Sequence, residues 1–598
     1  MSAAVTPMAA TAAAVTEPYL GVSRSLLGRV WIGPSPATER MGAAIAREIG
    51  MPELVGRVLA ARGVTPEAAA DYLEPKLRDL LPDPATLRDM EKAAARLARA
   101  VLKGERIAIF GDYDVDGAAS SALLLDWLRA QGRDATLYIP DRIDEGYGPN
   151  TPAMTALGKA HDLVICVDCG TLSFEPVAAA QAAGAEVIVA DHHLAGETLP
   201  ACAALVNPNR NDDASGAGHL CAAGVVFLLL VEANRRLRAE GRQGPDLMAA
   251  LDLVALATVA DVAPLTGVNR AFVRQGLKVM AARRRPGLRA LADIAGLDRP
   301  PTAHHLGYLL GPRINAGGRI GKADLGARLL SAGGDEEAAG LAAELDRLNG
   351  ERRRIEAEAL EEAVARVEAR GPVGTLVWAA AGGWHPGVLG IVAGRLRERF
   401  DRPAVALAIA DGAATGSARS VEGADIGAAV LALARDGVIL RGGGHRMAAG
   451  LTVAEDRLEE AMAALAARIE AEIGPAPPPS ALHVDGVLSA QAATPELVEA
   501  LEAAGPFGQA APAPRVALPG MRVASARRMG TDHLALTIAD PAGGRLDAVL
   551  FRAFATPLGA ALEDRGGGPT HLAGRLEIDE WGGRRRARLR IEDAAPGA

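Results

Sequence analysis

Cysteine is scarce, with four in 598 residues. That excludes a disulfide framework and points to a reducing compartment, expected to be the cytoplasm. Cys166 and Cys169 form a C-x-x-C, but Cys202 and Cys221 do not repeat it at zinc-ribbon spacing. The pair therefore reads as two ordinary cysteines at a strand end. No run approaches the ~18 uninterrupted apolar residues of a membrane span, so no membrane partner is expected. The Ala/Thr-rich opening, Met1 to Thr16, lacks the basic start and compact apolar core of a signal peptide and reads as a tail. A G-x-S-x-G elbow is missing, which removes the usual serine nucleophile. A Walker loop is missing too: Gly317-Gly318-Arg319-Ile320-Gly321-Lys322-Ala323 has neither the spacing nor the Ser/Thr, so no ATP is expected. Surplus positive charge is absent, the formal net charge being −9. Any nucleic-acid contact must then use local patches.

What is present is ordinary globular text, 49% hydrophobic and 23% charged. At ~100–200 residues per domain it makes several domains. Residues 1–50 read as a tail, partly disordered. Residues 51–270 read as a helical lead-in followed by an α/β domain, because short apolar runs at Ile107, Ala135, Leu163 and Val187 alternate with helical stretches. Such runs indicate a parallel sheet buried on both faces. Residues 271–370 form a helical connector that ends in a long charged helix, from about Glu336 to Arg370, with a solvated face. A second α/β domain occupies 371–474. A Pro-rich linker follows at 475–481, and the short alternating runs of 482–598 suggest a small β-barrel.

The strongest chemical signal is Gly111-Asp112-Tyr113-Asp114-Val115-Asp116-Gly117, placed directly after a strand and before a helix. Three carboxylates in five residues repel one another unless cations neutralise them, and oxygen-rich sites suit Mg²⁺ or Mn²⁺. An EF-hand loop would need Glu where Leu123 stands, so that reading fails. More ligand types end the later apolar runs: Asp168, then Asp191-His192-His193, then Asp261 after the run Leu253 to Ala260. In open parallel sheets ligands sit at the carboxyl ends of strands. A mixed carboxylate and imidazole set there can hold two divalent ions ~4 Å apart.

These motifs resemble the DHH phosphoesterase superfamily. Pro140-Asp141-Arg142, Glu145-Gly146-Tyr147-Gly148, Gly311-Pro312-Arg313-Ile314-Asn315-Ala316-Gly317-Gly318-Arg319 and Trp384-His385-Pro386-Gly387 are similar to the bacterial RecJ family in particular. So are Gly416-Ser417-Ala418-Arg419-Ser420, Gly442-Gly443-Gly444-His445 and Gly505-Pro506-Phe507-Gly508-Gln509. The resemblance runs from about residue 50 to about 593. It implies a parallel-sheet DHH domain and a DHH-associated α/β domain joined by the long helix, then an OB-type barrel. The implied activity is 5′→3′ hydrolysis of single-stranded DNA, through a water activated by two divalent ions, in recombination and repair. The implied partners are single-stranded DNA with a 5′ end, a helicase and a single-strand-binding protein.

Residue by residue, the resemblance makes Asp114 a ligand of one ion and Asp116 of the other, with Asp168 bridging. His193 and Asp261 complete the second set. His192 lies near the scissile phosphate or ligates, Asp112 ligates or supports, and Asp191 orients its neighbours. Some relatives carry histidine where this chain has Phe110, which leaves the first ion fewer nitrogen ligands. The associated domain is expected to present Gly443, Gly444 and His445 to the scissile phosphate, glycine letting backbone N–H groups come close to it, whereas the run taken alone would read as a tight turn. Ser417, Arg419 and Arg142 are expected at the terminal 5′-phosphate, since guanidinium forks match phosphate oxygens. Arg313 and Asn315 either line the DNA path or brace the connector. In the barrel, Trp581 with Arg584, Arg586 and Arg588 suits a single-strand groove. Two other readings stay open, a phosphodiesterase for short or cyclic substrates and a non-catalytic scaffold of a replication complex.

Overall fold

The computed structural model describes residues 17–141, 145–146, 148–474, 480–564, 568–580 and 584–597. The Ala/Thr-rich opening and the Pro-rich run 475–479 lie outside the described residues. The chain divides into two compact units, Leu81–Pro477 and a composite of Met1–Leu80 with Pro478–Ala598.

The composite unit begins with strand β1 (Val30–Ile32) and two helices, Pro36–Ile49 and Glu53–Ala60. The helices cross where Gly56 meets Gly42. A Cβ on Gly56 would lie 2.1 Å from the Gly42 carbonyl oxygen, so only glycine permits that approach.

In the unit Leu81–Pro477, strands β2 (Ile107–Gly111), β3 (Ala135–Tyr138), β4 (Leu163–Val167), β5 (Glu186–Ala190) and β6 (Ala204–Val206) form one parallel sheet in the order β3-β2-β4-β5-β6. Every residue of β2 and β4 is buried, as continuous apolar runs covered on both faces must be. The chain leaves β2 for β3 on one side and returns to β4 on the other. The carboxyl ends of β2 and β4 therefore flank a topological switch point. Helix Val115–Ala130 starts there. Its N-cap Asp114 accepts from the backbone N–H groups of Asp116 (2.8 Å) and Gly117 (3.1 Å).

The second sheet of this unit comprises β7 (Val377–Gly382), β8 (Ala404–Ala410), β9 (Ala413–Arg419), β10 (Arg441–His445) and β11 (Ala448–Ala454), ordered β10-β11-β9-β8-β7. The two sheets are joined by helix Asp335–Ala369, whose 35 residues span about 52 Å at 1.5 Å per residue. Leu345 and Leu348 pack against the connector near Gly317 and Gly321, while Ala363 and Val367 share a core with Val377 and Ala404. Its outer face carries i,i+4 pairs such as Arg354–Glu358 (2.8 Å) and Arg366–Glu362 (2.7 Å).

The composite unit continues with β12 (Ala481–His483), β13 (Gly486–Val487), β14 (Val516–Met529), β15 (His533–Ala539), β16 (Arg545–Leu550), β17 (Thr570–Asp579) and β18 (Arg586–Pro596). Strand β14 pairs with β15 through its second half and with β17 through its first, which closes the ring β14-β15-β16-β18-β17 into a five-stranded barrel. Strand β1 pairs in parallel with β12.

Here the structure departs from the expected boundaries. Residues from Tyr19 on are not tail, and the helices of 53–80 belong with the barrel rather than with the first α/β domain. Leu54, Val55, Val58 and Leu59 share the barrel core with Leu536, Ile538 and Leu589. The physical reason is long-range: a helix's apolar face announces that it will pack, not on what. Trp31 anchors the strand, fully buried beside Leu482, Ala573 and Ala595. Its indole N–H donates to the buried Asp593 carboxylate at 3.1 Å.

Trp31→Ala is expected to destabilise the composite unit by about 3–5 kcal/mol. Denaturant unfolding of the full chain checks this, through an earlier transition reported by the barrel. An unchanged midpoint would show that the N-terminal strand is dispensable.

Candidate metal centre

Each element around the switch point contributes an acid or an imidazole. Asp112 follows β2, Asp168 follows β4, Asp191-His192-His193 follow β5, and Asp261 caps the C-terminus of helix Leu251–Ala260. The run before Asp261 is thus a buried helix, its ten residues apolar on nearly every face. His192 sits centrally. Its Nε2 lies 3.3 Å from Asp168 Oδ1 and 3.7 Å from Asp116 Oδ2, and its Nδ1 lies 3.9 Å from Asp261 Oδ2. Three donor sets result, each with ligand atoms within 4.8 Å of one another: Asp112, Asp114 and Asp168; Asp168, His192 and His193; Asp116, His192 and Asp261. Asp168 and His192 each belong to two sets, so the three form one continuous centre.

Electrostatics destabilise this cluster without a cation. Burial, reinforced by Asp114, pushes the Asp112 carboxyl up to about 8. Burial and then Asp116 do the same to Asp261, also to about 8, and Asp168 is driven well above the carboxylate range by burial and its four acidic neighbours. Asp116 is raised by burial, with His192 opposing. Two carboxylate oxygens, Asp112 Oδ1 and Asp168 Oδ1, are buried with no hydrogen-bond partner. Lone pairs left bare in this way, among converging carboxylates and imidazoles, fit hard divalent ions. Asp168 further adopts a left-handed backbone (φ 60°), a strained conformation that turns its side chain into the cluster's shared position.

The surrounding backbone fixes the ligand set. Asp116 accepts from the backbone N–H groups of Ala222 (2.6 Å) and Ala223 (2.8 Å), at the positive end of helix Ala222–Ala239. Burial would raise Asp191, but hydrogen bonds from His193 and Thr171 hold it well below the usual range. It accepts from His193 Nδ1 at 2.7 Å and from the Thr171 hydroxyl at 2.6 Å. Burial alone would lower His193, and the Asp191 contact instead carries it up to about 9. A carboxylate gripping one imidazole nitrogen is the usual means of orienting the other toward a metal. Three supporting residues, Thr171, Asn207 and Asn209, escaped the sequence reading. Asn207 donates to the Thr171 hydroxyl and the His193 carbonyl, both at 2.8 Å, and Asn209 donates to the His192 carbonyl at 2.6 Å. The only available signal was the turn text Asn207-Pro208-Asn209 directly after β6. Phe110 lies in the sheet core, its ring stacked on Tyr138 at 5.4 Å.

The remaining expected residues are distributed as follows. His192 rather than His193 lies between Asp116 and Asp261. Gly443, Gly444 and His445 do not form a tight turn but the edge strand β10, paired with Gly450, Ala449 and Ala448. Glycine is required there by close packing, because a Cβ on Gly444 would lie 2.4 Å from Ala449 Cα. Ser417 and Arg419 sit on β9 above helix Pro386–Phe400. A Cβ on Gly390 would lie 2.7 Å from Arg419 Nη2 and 3.6 Å from Ser417 Oγ. Arg313 is a brace, buried and bonded to Asp346 (2.9 Å) and to the Leu309 carbonyl (2.7 Å). Asn315 lies on the same helix, Gly311–Ile320, with its Oδ1 buried and unpartnered. That helix lies against the acidic motif at one point, where a Cβ on Gly318 would be 2.8 Å from Tyr113 Cβ. It reaches the second sheet's domain at another, Arg319 donating to the Gly387 carbonyl at 3.0 Å. In the barrel Arg588 is paired with Glu577 (2.6 Å) and Asp579 (3.2 Å), Arg586 faces Asp547 (3.9 Å), and Arg584 is exposed. Arg142 and Trp581 lie outside the described residues.

Comparison with known proteins agrees with this architecture. The DHH family N-terminal domain model matches residues 106–258, the DHHA1 domain model 373–471 and the RecJ OB domain model 484–593. The single-stranded-DNA-specific exonuclease RecJ of Dickeya dadantii is 38% identical over 571 residues, covering 91% of this chain and 96% of that protein. Its counterpart from Escherichia coli is 36% identical over 568 residues, with 91% and 96% covered. The crystal structure of RecJ from Thermus thermophilus in complex with Mn²⁺ superposes with a TM-score of 0.78 at 29% identity, covering 94% of this chain and 79% of that one. The Mg²⁺ complex gives 0.74 at 28% identity, with 95% and 78% covered.

A divalent ion is expected to raise the melting temperature of the full chain, ~100 times Kd contributing about 2.7 kcal/mol. Asp168→Asn is expected to melt at the same temperature or higher in chelator, because one buried acid is gone, yet to gain nothing from Mn²⁺. Differential scanning fluorimetry with and without Mn²⁺ reads both. An undiminished Mn²⁺ response in Asp168→Asn would remove that residue from the centre.

Proposed function

The chain belongs to the RecJ family of single-stranded-DNA-specific exonucleases, and from that premise we propose that it hydrolyses single-stranded DNA stepwise from the 5′ end. The observation that carries the reading is the continuous donor centre at the switch point, with its two bare buried carboxylate oxygens. Its relatives' structures hold Mn²⁺ or Mg²⁺, and the same two ions suit these donors. When bound, a pair of such ions supplies Lewis acidity toward the phosphodiester and activates a water for in-line attack. ATP has no role in this chemistry.

The chain's own residues do the rest. Asp112, Asp114 and Asp168 form one ligand set, and Asp116, His192 and Asp261 the other, with Asp168 beside His192 linking the two. Asp191 grips His193 at Nδ1, which orients the ring's other nitrogen toward metal or phosphate. Thr171, Asn207 and Asn209 keep the two histidines from swinging away. No side-chain nucleophile is needed. Ser417 and Arg419, side by side over Gly390, receive the terminal 5′-phosphate with Arg142, and His445 with Gly443 and Gly444 faces the phosphate being cut. Asn315 lies along the strand's path, while Arg313 holds that path's helix to Asp346. The barrel engages the strand further along, through Arg584, Arg586, Arg588 and Trp581. Because the substrate is unpaired, a strand-separating helicase must supply it, and a single-strand-binding protein competes for or presents it. In this reading the activity serves DNA recombination and repair in the cytoplasm.

Long single-stranded DNA labelled at the 5′ end is expected to release labelled mononucleotide at once in Mn²⁺, and 3′-labelled DNA only late. Asp116→Ala is expected to release neither. Hydrolysis of dinucleotides but not of long DNA would replace this reading with a small-substrate phosphodiesterase.

Arg419→Ala is expected to raise KM about tenfold or more for strands with a 5′-phosphate, the usual worth of a charge-assisted contact. Strands with a 5′-hydroxyl should change little. Steady-state kinetics on the two strand types decide it, and an equal rise on both would sink the assignment.

A further inference from the structure

Tyr308 is the most exposed large apolar side chain among the described residues, at 73%. Nothing in the chemistry above uses it. It lies in a π-helical turn, Leu306–Leu310, between the short helix Ala303–His305 and helix Gly311–Ile320. Such turns cost hydrogen-bond geometry and recur where a side chain must be re-aimed. The turn is pinned on both sides to elements that carry the metal centre. Gly307 lies against Val259, where a Cβ would be 3.3 Å from Cγ1. Gly311 lies against Ala260 and Val115, where a Cβ would be 3.6 and 3.8 Å from their side chains. Val259 and Ala260 lead directly into Asp261, and Val115 stands between Asp114 and Asp116. The Leu309 carbonyl is held by Arg313.

From this pinned turn the phenol ring projects into solvent, with one face already covered. The His304 ring stacks on it at 4.9 Å with 27° between planes. Beside the centre, Val262 is also exposed (62%) and holds a left-handed backbone (φ 58°), a strained state for a β-branched residue. An aromatic ring that is rigid and half-stacked loses little freedom on taking a second partner. Every nucleobase has a π-face, and stacking on an aromatic side chain is tolerant of sequence.

We propose that Tyr308, backed by His304, is a stacking platform for one nucleobase of the single strand whose phosphodiester lies at the metal centre. The proposal rests on the nuclease reading above and adds to it a base contact. The platform would select unpaired strands, because a base inside a duplex offers no free face at that point.

The test is an abasic scan. A set of 5′-phosphorylated single strands, each lacking one base at a different distance from the 5′ end, is digested by the full chain in Mn²⁺. The unmodified protein should show a rise in KM of about tenfold at one register, with kcat little changed, as loss of one stacked base predicts. Tyr308→Ala should be equally weakened on intact strands and lose that register dependence. Tyr308→Phe and Tyr308→Trp should restore it. A flat scan in the unmodified protein, or a scan in Tyr308→Ala that keeps its peak, overturns the platform. So does a fall in kcat on every strand, which marks a positioning role instead. Failure of the nuclease reading shows differently, as no product from the unmodified protein. The platform is then decided by binding alone: quenching by oligo(dT) in Tyr308→Trp beyond that of the unmodified protein, whose own five tryptophans set the baseline, supports it, and no added quenching overturns it.

Discussion

The constraint on which the rest of the unit depends is repulsion among acids that the sheet's topology forces together. Asp112 and Asp168 leave the adjacent parallel strands β2 and β4, so they are neighbours by register and cannot separate without unpairing the sheet. Asp116 and Asp261 arrive from two packed helices, fixed by the same core. Buried carboxylates at this density have two ways to persist: they hold protons, or they share cations. The upward displacement of Asp112, Asp168 and Asp261 is the first way, and the bare oxygens are the opening for the second.

The protein meets this repulsion unequally, and the inequality assigns work. Asp116 and Asp191 are each met by dedicated donors: two helix N-terminal amides for one, a threonine and a histidine for the other. Their geometry is set before any ion arrives. Asp112 receives backbone donors from Tyr113 and Asp114, yet it and Asp168 each keep one buried oxygen without a hydrogen bond, and that oxygen is left to the ion. A rigid ring of satisfied carboxylates around an unsatisfied pair is a preorganised site, since the reorganisation that binding would otherwise cost has been done in folding. The strained backbone at Asp168 and Val262 belongs to the same pattern, stress held locally by a stiff scaffold.

Much of this was legible in the residues. Alternating apolar runs and helices indicated the parallel sheet, and the acidic motif after the first run put the centre at its carboxyl edge. What could not be read were relations that sequence encodes only through the whole fold. Which of two adjacent histidines faces Asp261 depends on a turn whose carbonyls are held by Asn207 and Asn209, beyond the next strand. The glycines at 442–444 look like a turn because glycine is permissive, yet here the smallness of Gly442 serves helix-to-strand contact and that of Gly444 strand-to-strand contact. Strand β1 is three residues long, too short for any period to register, and its partner lies some 450 positions on.

The net charge of −9 poses a last question for a protein that handles a polyanion, and the barrel's ion pairs answer it. Its arginines are not idle positive charge waiting for phosphate. Arg588 is held between Glu577 and Asp579, Arg585 by Glu499 and Arg575 by Glu592. Surface pairs of this kind are each worth only ~0–1 kcal/mol, so a guanidinium exchanges carboxylate for phosphate at little cost. The exchange frees an acid as well as engaging a base, and the freed acid repels the strand it has just been replaced by. Binding through such pairs is therefore individually weak and sums only when several contacts form together. On the proposed reading, a strand long enough to make them all would be retained, while a short product would not. An acidic protein can in this way grip a polyanion without a permanently basic surface that would hold the mononucleotides it releases.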